Sequence, residues 1–391
     1  MSKVVSLPGK PPAAAAASPL NAIEELVAEL RAGRMVVVMD DEDRENEGDL
    51  IMAAEHATPE AVAFMIRHTS GIICVPMEES RLAALELPQM VPANSESQRT
   101  AFTVSVDVRT GTTTGVSAAD RAATIRALAD GRSAAADFAR PGHIFPLRPR
   151  AGGVLVRAGH TEAAVDLCRL AGVTPVAVLC EVMNEDGSMA RRPQLEEFAR
   201  HHGLKVGTIA DLIRHRLRTE RSVERIGEQT VQTALGEFRL YAYQDRVSLE
   251  VHLALARGRL DGPETPLVRV HLPDTLRDLI GVRSAARAWT LHAALARIAE
   301  AGNGVVVLLR QPEPPAELAT ALRSIAATPP QAPPADGVGG GEGAVLRTFG
   351  VGAQILKDLG VKRMRVLSAP KQMHGISAFD LEIEGYVGEE G

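Results

Sequence analysis

The hydrophobic and polar positions early in the chain predict a helix and two strands, with a charged stretch between the strands. Asn21 is a suitable N-cap, and the amphipathic run after it predicts a helix that ends at Gly33. Residues 35–39 read MVVVM, and this uninterrupted apolar run predicts a strand that is buried on both faces. The acidic stretch, residues 40–50, follows directly and leads into a second predicted strand, residues 50–56.

Later helices of the first half have recognisable starts and ends. Thr58 followed by Pro59 predicts one helix start, and Ser117 is the expected N-cap of another. The run HTEAAVDLCRLAG predicts a helix that begins at Thr161 and ends near Gly172. The other segments are predicted as strands at residues 72–77, 102–108 and 174–183, a strand and loop at 152–159, and a helix at 192–203.

The second half shows a similar mixture of strands and helices. Strands are predicted at residues 237–245, 250–258, 267–272, 304–310, 364–370 and 379–387, and helices at 286–301 and 350–360. Residues 311–344 are dense in Pro, Ala and Gly, which predicts a mobile loop with one short helical piece. The whole pattern predicts an α+β (mixed α/β) fold of two domains, each a mixed sheet with packed helices. The predicted domains are residues 18–221 and 222–391, after a disordered tail at residues 1–17.

Composition excludes several classes of protein. The 391 residues are 45% hydrophobic, which is enough for two cores, and the net charge of −6 argues against nucleic acid as a partner. We find no apolar run long enough to span a membrane and no signal peptide. The three cysteines have neither disulfide nor zinc spacing, so we expect a cytoplasmic protein with reduced thiols.

The stretch DDEDRENEGDL, residues 40–50, holds seven acidic side chains among eleven residues. Such a run is most often a solvated loop. This one is anchored to a buried strand, however, so Glu45, Glu47 and Asp49 could converge on one point. Converging carboxylates repel each other unless a cation or a proton joins them, and their oxygens suit Mg²⁺ or Mn²⁺. Arg44 could neutralise the cluster or hold a substrate oxygen.

A second candidate lies in RAGHTEAAVDL, from Arg157, where a Gly-containing loop precedes a helix. Helix N-termini bind anions such as phosphate, and Arg157 and Thr161 would add to this site. His160 is either part of the site or an ordinary surface histidine. Glu181 ends an apolar strand and is either a partly buried acid or base or an arginine partner. His143 lies in a Pro/Gly-framed loop, RPGHIFPL. Together these residues favour an enzyme that acts on a small sugar phosphate.

Seven segments between residues 18 and 218 resemble the 3,4-dihydroxy-2-butanone 4-phosphate synthases of riboflavin synthesis. They are DDEDRENEGDLIMAAE, RHTSGIICVPM, FTVSVD, TTTGVSAADRAATI, RPGHIFPLR, GGVLVRAGHTEAAVDL and AGVTPVAVLCEVMNEDGSMAR. The resemblance implies that ribulose 5-phosphate is enolised and dehydrated, that its carbon skeleton rearranges, and that C4 leaves as formate. It also implies a homodimer with sites near the subunit boundary, and no nucleic-acid or membrane partner is expected.

The resemblance also implies roles for individual residues. Glu45 and His160 are implied as ligands of Mg²⁺ or Mn²⁺, and His143 and Glu181 as the essential catalytic residues. The implied substrate contacts are Arg44, Glu45, Asp49, Arg157, Ala158, Gly159, His160 and Thr161.

The second half resembles GTP cyclohydrolase II over residues 222–390, in the pieces LGEFRLYAYQD, EVHLALARG, PLVRVH and FGVGAQILKDLGV. That family holds a zinc ion with three cysteines, but no cysteine follows Cys180 here. Because zinc needs thiolate or imidazole ligands in a compact set, we expect neither zinc nor GTP hydrolysis in this half. Two alternatives remain: a bifunctional enzyme that also hydrolyses GTP, and a second half that senses a nucleotide or steadies an oligomer.

Overall fold

The chain divides into two compact units, and each contains one seven-stranded sheet. The computed structural model describes residues 20–282, 289–310, 315–326, 342–369 and 379–388. The division falls between His215 and Arg216, so the first unit ends at His215 and the second begins at Arg216. The predicted mixed α/β fold in two domains is confirmed. The boundary between residues 221 and 222 stays a prediction, and the predicted tail at residues 1–17 lies outside the described residues.

The first unit places helices around a mixed sheet with the strand order β4-β5-β3-β6-β2-β1-β7. Its strands are β1 (Val36–Met39), β2 (Gly48–Ala53), β3 (Cys74–Pro76), β4 (Val106–Val108), β5 (Phe138–Leu147), β6 (Ala177–Glu181) and β7 (Lys205–Thr208). Its helices are α1 (Ile23–Arg31), α2 (Pro59–His68), α3 (Glu79–Ala84), α4 (Ala118–Ala129), α5 (His160–Ala171), α6 (Arg192–His202) and α7 (Ile209–Thr219), and the division between the units falls within α7. Every residue of β1 and β2 is buried, as the apolar run of β1 predicts.

Three local capping signals of the first unit are confirmed. The Thr58 side chain accepts a hydrogen bond from the amide of Ala61 at the start of α2, and Ser117 accepts one from the amide of Asp120 at the start of α4. Gly172 adopts the left-handed conformation that ends α5. These helix ends depend on neighbouring residues alone, which is why the sequence predicts them well.

The strand predicted within residues 152–159 is wrong. This segment contains a 3₁₀ turn, Gly153–Leu155, and a loop. Two buried carboxylates of α5 accept backbone hydrogen bonds from this part of the chain: Asp166 from the amide of Val154 at 2.8 Å, and Glu162 from the amide of Arg150 at 2.9 Å. The side chains thus satisfy donors that strand pairing would otherwise satisfy.

Two further predictions are corrected. His143 lies within β5 instead of a loop, because β5 pairs with both β4 and β3. The N-cap of α1 is Ala22 instead of Asn21, because the Asn21 side chain accepts a hydrogen bond from the amide of Val206 at the neighbouring strand β7.

The second unit has a mixed sheet with the strand order β14-β13-β11-β12-β10-β9-β8. Its strands are β8 (Val223–Thr233), β9 (Gly236–Asp245), β10 (Val251–Arg257), β11 (Leu267–His271), β12 (Gly304–Leu308), β13 (Arg363–Leu367) and β14 (Glu382–Val387). Its helices are α8 (Leu291–Ala301), α9 (Pro315–Ala326) and α10 (Glu342–Asp358). None of the helices in the described ranges of either unit combines the length and the apolarity needed to cross a bilayer.

The largest errors of prediction fall in the second unit. β8 was not predicted because it is an exposed edge strand with mostly polar residues, so it lacks an apolar face. The predicted loop at 311–344 contains α9, a helix of 12 residues, while residues 311–314 and 327–341 lie outside the described residues. The helix predicted from residue 286 begins at Leu291, and residues 283–288 are not described.

A cluster of rings joins α2 to α6 and predicts a dependence of stability on pH. The ring centroid of His202 lies 4.9 Å from that of His68, 5.0 Å from that of Phe64 and 4.5 Å from that of Phe198. Burial lowers the pKa of both His68 and His202. The charges of Arg67 and His201 lower the pKa of His68 further, and those of His68 and His201 lower the pKa of His202. These pKa values are lowered only in the folded chain. At a pH near and just below the ordinary histidine pKa of about 6.5, the unfolded chain therefore binds more protons than the folded chain.

We therefore expect the free energy of unfolding to fall as the pH drops from about 7.5 to about 5.5. Replacing His202 with Phe should flatten part of this dependence, because one of the two groups is removed. Thermal unfolding at several pH values would measure the slope, with His56→Phe, outside the cluster, as the control. An H202F slope equal to that of the unaltered chain would contradict the prediction.

Candidate active site

The strand register brings two candidate carboxylates together at one end of the first sheet. Asp49 of β2 lies directly opposite Glu181 of β6, and Val38 of β1 lies on the other side of Asp49. Residues that face each other on neighbouring strands point to the same face of the sheet. Asp49 and Glu181 therefore share one face, next to the acidic loop, residues 40–47, that joins β1 to β2.

The acidic loop is organised around the carboxylate of Asp40, whose side chain is completely buried. Asp40 accepts hydrogen bonds from the amides of Glu47 at 2.8 Å and Glu45 at 3.0 Å, and from the guanidinium of Arg44 at 2.8 Å. Arg191, just before α6, donates to the carbonyl of Glu45 at 2.7 Å. The first acid of the stretch is thus an internal anchor, and a freely solvated loop is excluded.

His160 faces this loop with one ring nitrogen available. It is only 6% exposed, which excludes the alternative of an ordinary surface histidine. Its Nε2 lies 3.1 Å from the carbonyl oxygen of Val38, so Nε2 carries the proton of that hydrogen bond. Its Nδ1 lies 3.8 Å from Glu45 Oε2 and 3.9 Å from Asp49 Oδ1. A backbone bond that fixes one nitrogen and aims the other is the usual arrangement of a metal-binding histidine.

The residues around His160 fit a divalent cation. Ligand atoms of Asp40, Glu45 and His160 lie within 4.8 Å of one another, and no other such group of three occurs in the described part of the chain. Asp49 Oδ1 is buried and has no hydrogen-bond partner among the described residues. A buried, unpaired carboxylate oxygen is costly unless a cation or a substrate hydroxyl meets it. The mixture of carboxylates and imidazole suits Mg²⁺ or Mn²⁺.

The electrostatics of the cluster support the same conclusion. Burial opposes the charge of Glu45, but His160 and Arg44 outweigh it and lower the pKa of Glu45 to about 2. Burial also opposes the charge of His160, yet the surrounding carboxylates raise the pKa of His160 to about 9. Burial raises the pKa of Asp49 to about 8 against the opposing effect of His160. The cluster therefore attracts positive charge, whether as protons or as a metal ion.

Glu181 is half-buried at the end of β6, as its position after an apolar strand predicts. The Ser70 hydroxyl donates a hydrogen bond to Glu181 Oε2 at 2.5 Å. No arginine forms an ion pair with Glu181 among the residues that the structure describes, so the alternative of an arginine partner is not supported. Glu181 remains available for proton transfer.

His143 is paired with a carboxylate that the sequence did not reveal. Its Nδ1 lies 2.7 Å from Asp107 Oδ2, and its amide donates to Asp107 Oδ1 at 2.9 Å. Gly115 has φ +83, and a Cβ there would collide with the Asp107 carboxylate, so only glycine fits beside this pair. Asp107 fixes the imidazole, and the Nε2 atom, which has no hydrogen-bond partner among the described residues, can act on a substrate.

His143 lies on the same face and at the same end of the sheet as Glu181, but not beside it. Cys74 of β3 pairs with Phe145 of the parallel strand β5 and with Leu179 of the antiparallel strand β6. His143 lies two residues before Phe145, and Glu181 lies two residues after Leu179. Because β5 and β6 run in opposite directions, both positions lie toward the same end of the sheet. One strand separates them, so their backbones are about 10 Å apart. The structure thus brings Glu45, Asp49, His160 and Glu181 into one region and places His143 at its border.

The Arg157 loop completes the region. Arg157 Nη1 donates to Glu162 Oε2 at 2.7 Å, and its Nη2 donates to Thr100 Oγ1 at 3.1 Å. The guanidinium of Arg157 and the carboxylate of Glu162 pack closely against Gly159. The helix α5 begins at His160 instead of Thr161, so the histidine belongs to its first turn. The free amides of this turn are suited to bind an anion beside the candidate metal ligands.

The chain is similar to proteins of a known family. Residues 24–215 match the family model of 3,4-dihydroxy-2-butanone 4-phosphate synthase. A protein from Pseudomonas aeruginosa named 3,4-dihydroxy-2-butanone 4-phosphate synthase is 53% identical over 95% of this chain and 100% of its own length. The chain belongs to the 3,4-dihydroxy-2-butanone 4-phosphate synthase family. A crystal structure of RibBX, a two-domain synthase from A. baumannii, has a TM-score of 0.79 and 42% identity, and covers 94% of this chain and 100% of its own.

Another synthase crystal structure is a complex with two magnesium ions. It is 50% identical with a TM-score of 0.50, and covers 51% of this chain and 98% of its own. The first unit of this synthase has a compact group of carboxylates and an imidazole. A divalent-metal site at this group is consistent with the magnesium complex of that relative. The implied roles of the individual residues stay predictions.

The second unit of this synthase matches the family model of GTP cyclohydrolase II over residues 224–388. After β11, where that family was expected to place zinc ligands, His271 Nε2 lies 2.7 Å from Asp278 Oδ2. Asp278 also accepts hydrogen bonds from the amides of Asp274 at 2.9 Å and Leu291 at 2.8 Å. The carboxylate thus ties the end of β11 to the turn after it and to the start of α8.

Proposed function

We propose that the first unit converts D-ribulose 5-phosphate into L-3,4-dihydroxy-2-butanone 4-phosphate and formate. The observation that carries this proposal is the meeting of Asp40, Glu45 and His160 with Glu181 and the Arg157 loop at one end of the sheet. The reaction needs no oxidant, because every atom of ribulose 5-phosphate, hydrogen and oxygen included, appears in the four-carbon ketone phosphate or in formic acid. The site must therefore bind a phosphate, hold a polyol and move protons.

Each residue has a proposed part in this reaction. Glu45 and His160 hold Mg²⁺ or Mn²⁺, which supplies Lewis acidity at the oxygens of the sugar, and Asp40 fixes the loop that presents Glu45. Glu181 takes and returns protons on carbon and oxygen. His143, oriented by Asp107, transfers protons at the other side of the region.

The remaining contacts bind and orient the substrate. The first turn of α5 and Arg157 bind the phosphate, with Ala158, Gly159 and Thr161 lining that segment. Arg44 and Asp49 contact hydroxyl groups of the sugar. Arg44 already bonds to Asp40 and Glu45, so it holds the loop and neutralises part of its charge as well. We also propose that the chain forms a homodimer through its first unit and acts in the cytoplasm.

For the second unit we propose that the zinc-dependent hydrolysis of GTP is absent. No thiolate follows Cys180 in the sequence, and Asp278, in the segment after β11, is bonded to His271 and two amides. The match of residues 224–388 to GTP cyclohydrolase II favours the second candidate, a bifunctional enzyme. The third candidate is a unit that binds a nucleotide without turnover or that stabilises an oligomer.

One experiment on the purified full chain separates these functions. With ribulose 5-phosphate and Mg²⁺ we expect formate and the four-carbon phosphate, identified by NMR. With GTP we expect no pyrophosphate, which is the product to follow because formate arises in both reactions, and no stoichiometric zinc by metal analysis. A metal-loaded chain that releases no formate from ribulose 5-phosphate would refute the synthase function. Pyrophosphate release together with bound zinc would establish the bifunctional enzyme, and GTP binding without turnover the third candidate.

A further inference from the structure

Ser70 touches both the side chain and the backbone of Glu181. It lies just after α2, at the start of the segment that leads to β3. Its hydroxyl donates to Glu181 Oε2 at 2.5 Å, and its amide donates to the backbone carbonyl of Glu181 at 2.8 Å. The two residues are 111 positions apart in the chain, so the pairing arises from the fold and not from local structure.

The surroundings of the Ser70 hydroxyl determine where its proton points. The amide of Ile72 donates to Ser70 Oγ at 3.2 Å. Cys180 Sγ lies 3.4 Å from the same oxygen, in a contact where either atom could be the donor, and 3.9 Å from Glu181 Oε2, to which the thiol can donate. The Ile72 amide can only donate, and a thiol sulfur is a much weaker acceptor than a carboxylate oxygen, so the single hydroxyl proton points to Glu181 Oε2.

We infer that Ser70 is a positioning residue for Glu181: it holds Oε2 and thereby presents Oε1 to the reacting atoms. This inference rests on the proposed synthase function and adds a residue to it. In the part of the chain that the structure describes, no hydrogen bond from the protein reaches Oε1. A carboxylate fixed through one oxygen has its other oxygen in a defined direction, and proton transfer depends steeply on that direction.

The backbone pairing of this segment with β6 and the residues after it does not use the Ser70 hydroxyl. The amides of Ser70 and Met183 donate to the carbonyls of Glu181 and His68, and Thr69 pairs with Val182. These backbone bonds remain when the hydroxyl is removed. We therefore expect Ser70→Ala to fold and to bind substrate, but to lose control over the Glu181 carboxylate.

The test is a double-mutant cycle in the full chain, with ribulose 5-phosphate and saturating Mg²⁺. S70A should lower kcat by about 10-fold, a fraction of the full effect of a general acid or base, and change KM by less than about twofold. Ser70→Thr, which keeps the hydroxyl, should recover most of the loss. In the background of Glu181→Gln, S70A should cause no further loss, because its effect passes through Glu181. Ser133→Ala, in the turn after α4, is the control for removing a hydroxyl.

Several results would overturn the inference. One is an S70A variant with unchanged kcat, and another is an S70A substitution that lowers kcat by the same factor with and without E181Q. A rise in KM alone would assign Ser70 to substrate binding instead. If S70A does not fold, the same double-mutant cycle is carried out with Ser70→Cys. Cysteine keeps the size of the side chain but is a weaker donor. Absence of turnover in the unaltered chain would refute the synthase function itself, which is a different outcome from unchanged kcat in S70A.

Discussion

Glu181→Gln is expected to lower the turnover of ribulose 5-phosphate by about 100-fold or more, which is the usual loss when a general acid or base is removed. The amide of glutamine has nearly the shape of the carboxylate but cannot take a proton from carbon. The backbone pairing of Glu181 with Asp49 does not involve its side chain, so the sheet should be retained. Steady-state kinetics by formate release, with circular dichroism and thermal unfolding for the fold, would measure both effects.

A matched control lies four residues further along the chain. Glu185 is exposed in the turn after β6, so Glu185→Gln removes the same charge close to the site without touching it. We expect E185Q to keep normal turnover. If E181Q also turned over substrate at nearly the normal rate, Glu181 would be only a structural partner of Ser70, and the inference on Ser70 would fail with it.

The elements predicted well from the sequence are those whose signals are local. The cap residues Thr58 and Ser117 and the terminal Gly172 act on neighbouring backbone groups, and the structure confirms all three. The polar edge strand β8 gives no such signal, because its only pairing partner in the described sheet is β9 and it has no buried face. Residues 152–159 misled the prediction because the apolar side chains of Val154 and Leu155 are buried without strand pairing.

The candidate site shows the same division between local and long-range signals. The acidic loop and the segment from Arg157 to Thr161 were found because their chemistry is dense within a few residues. Ser70 and Asp107 were missed because each acts on a residue far along the chain, 111 and 36 positions away. A polar residue in a mostly buried strand, such as Asp107 in β4, is the one signal that could have revealed such a pair.

Removal of divalent cations is expected to abolish formate release, and added Mg²⁺ or Mn²⁺ should restore it. Glu45→Gln should weaken binding of Mn²⁺ by more than about 100-fold, since loss of a residue that only supports a metal ligand can already cost that much. The carboxylate of Glu45 places a charged oxygen 3.8 Å from His160 Nδ1, and glutamine would remove that charge from the cluster. The positive charge of Arg44 would then lack its partner at this position, which further disfavours a bound cation. Electron paramagnetic resonance of Mn²⁺ measures binding independently of turnover.

The acidic loop itself provides the control for this prediction. Glu42 is exposed in the same loop, so Glu42→Gln changes the net charge by the same amount without altering the cluster of Asp40, Glu45 and His160. E42Q should bind Mn²⁺ and release formate normally, which would separate ligation from the general field of the loop. Equal weakening by E42Q and E45Q would mean that the loop attracts cations only through its total charge. Full activity in excess chelator would show that the carboxylates serve the sugar directly and that no metal is needed.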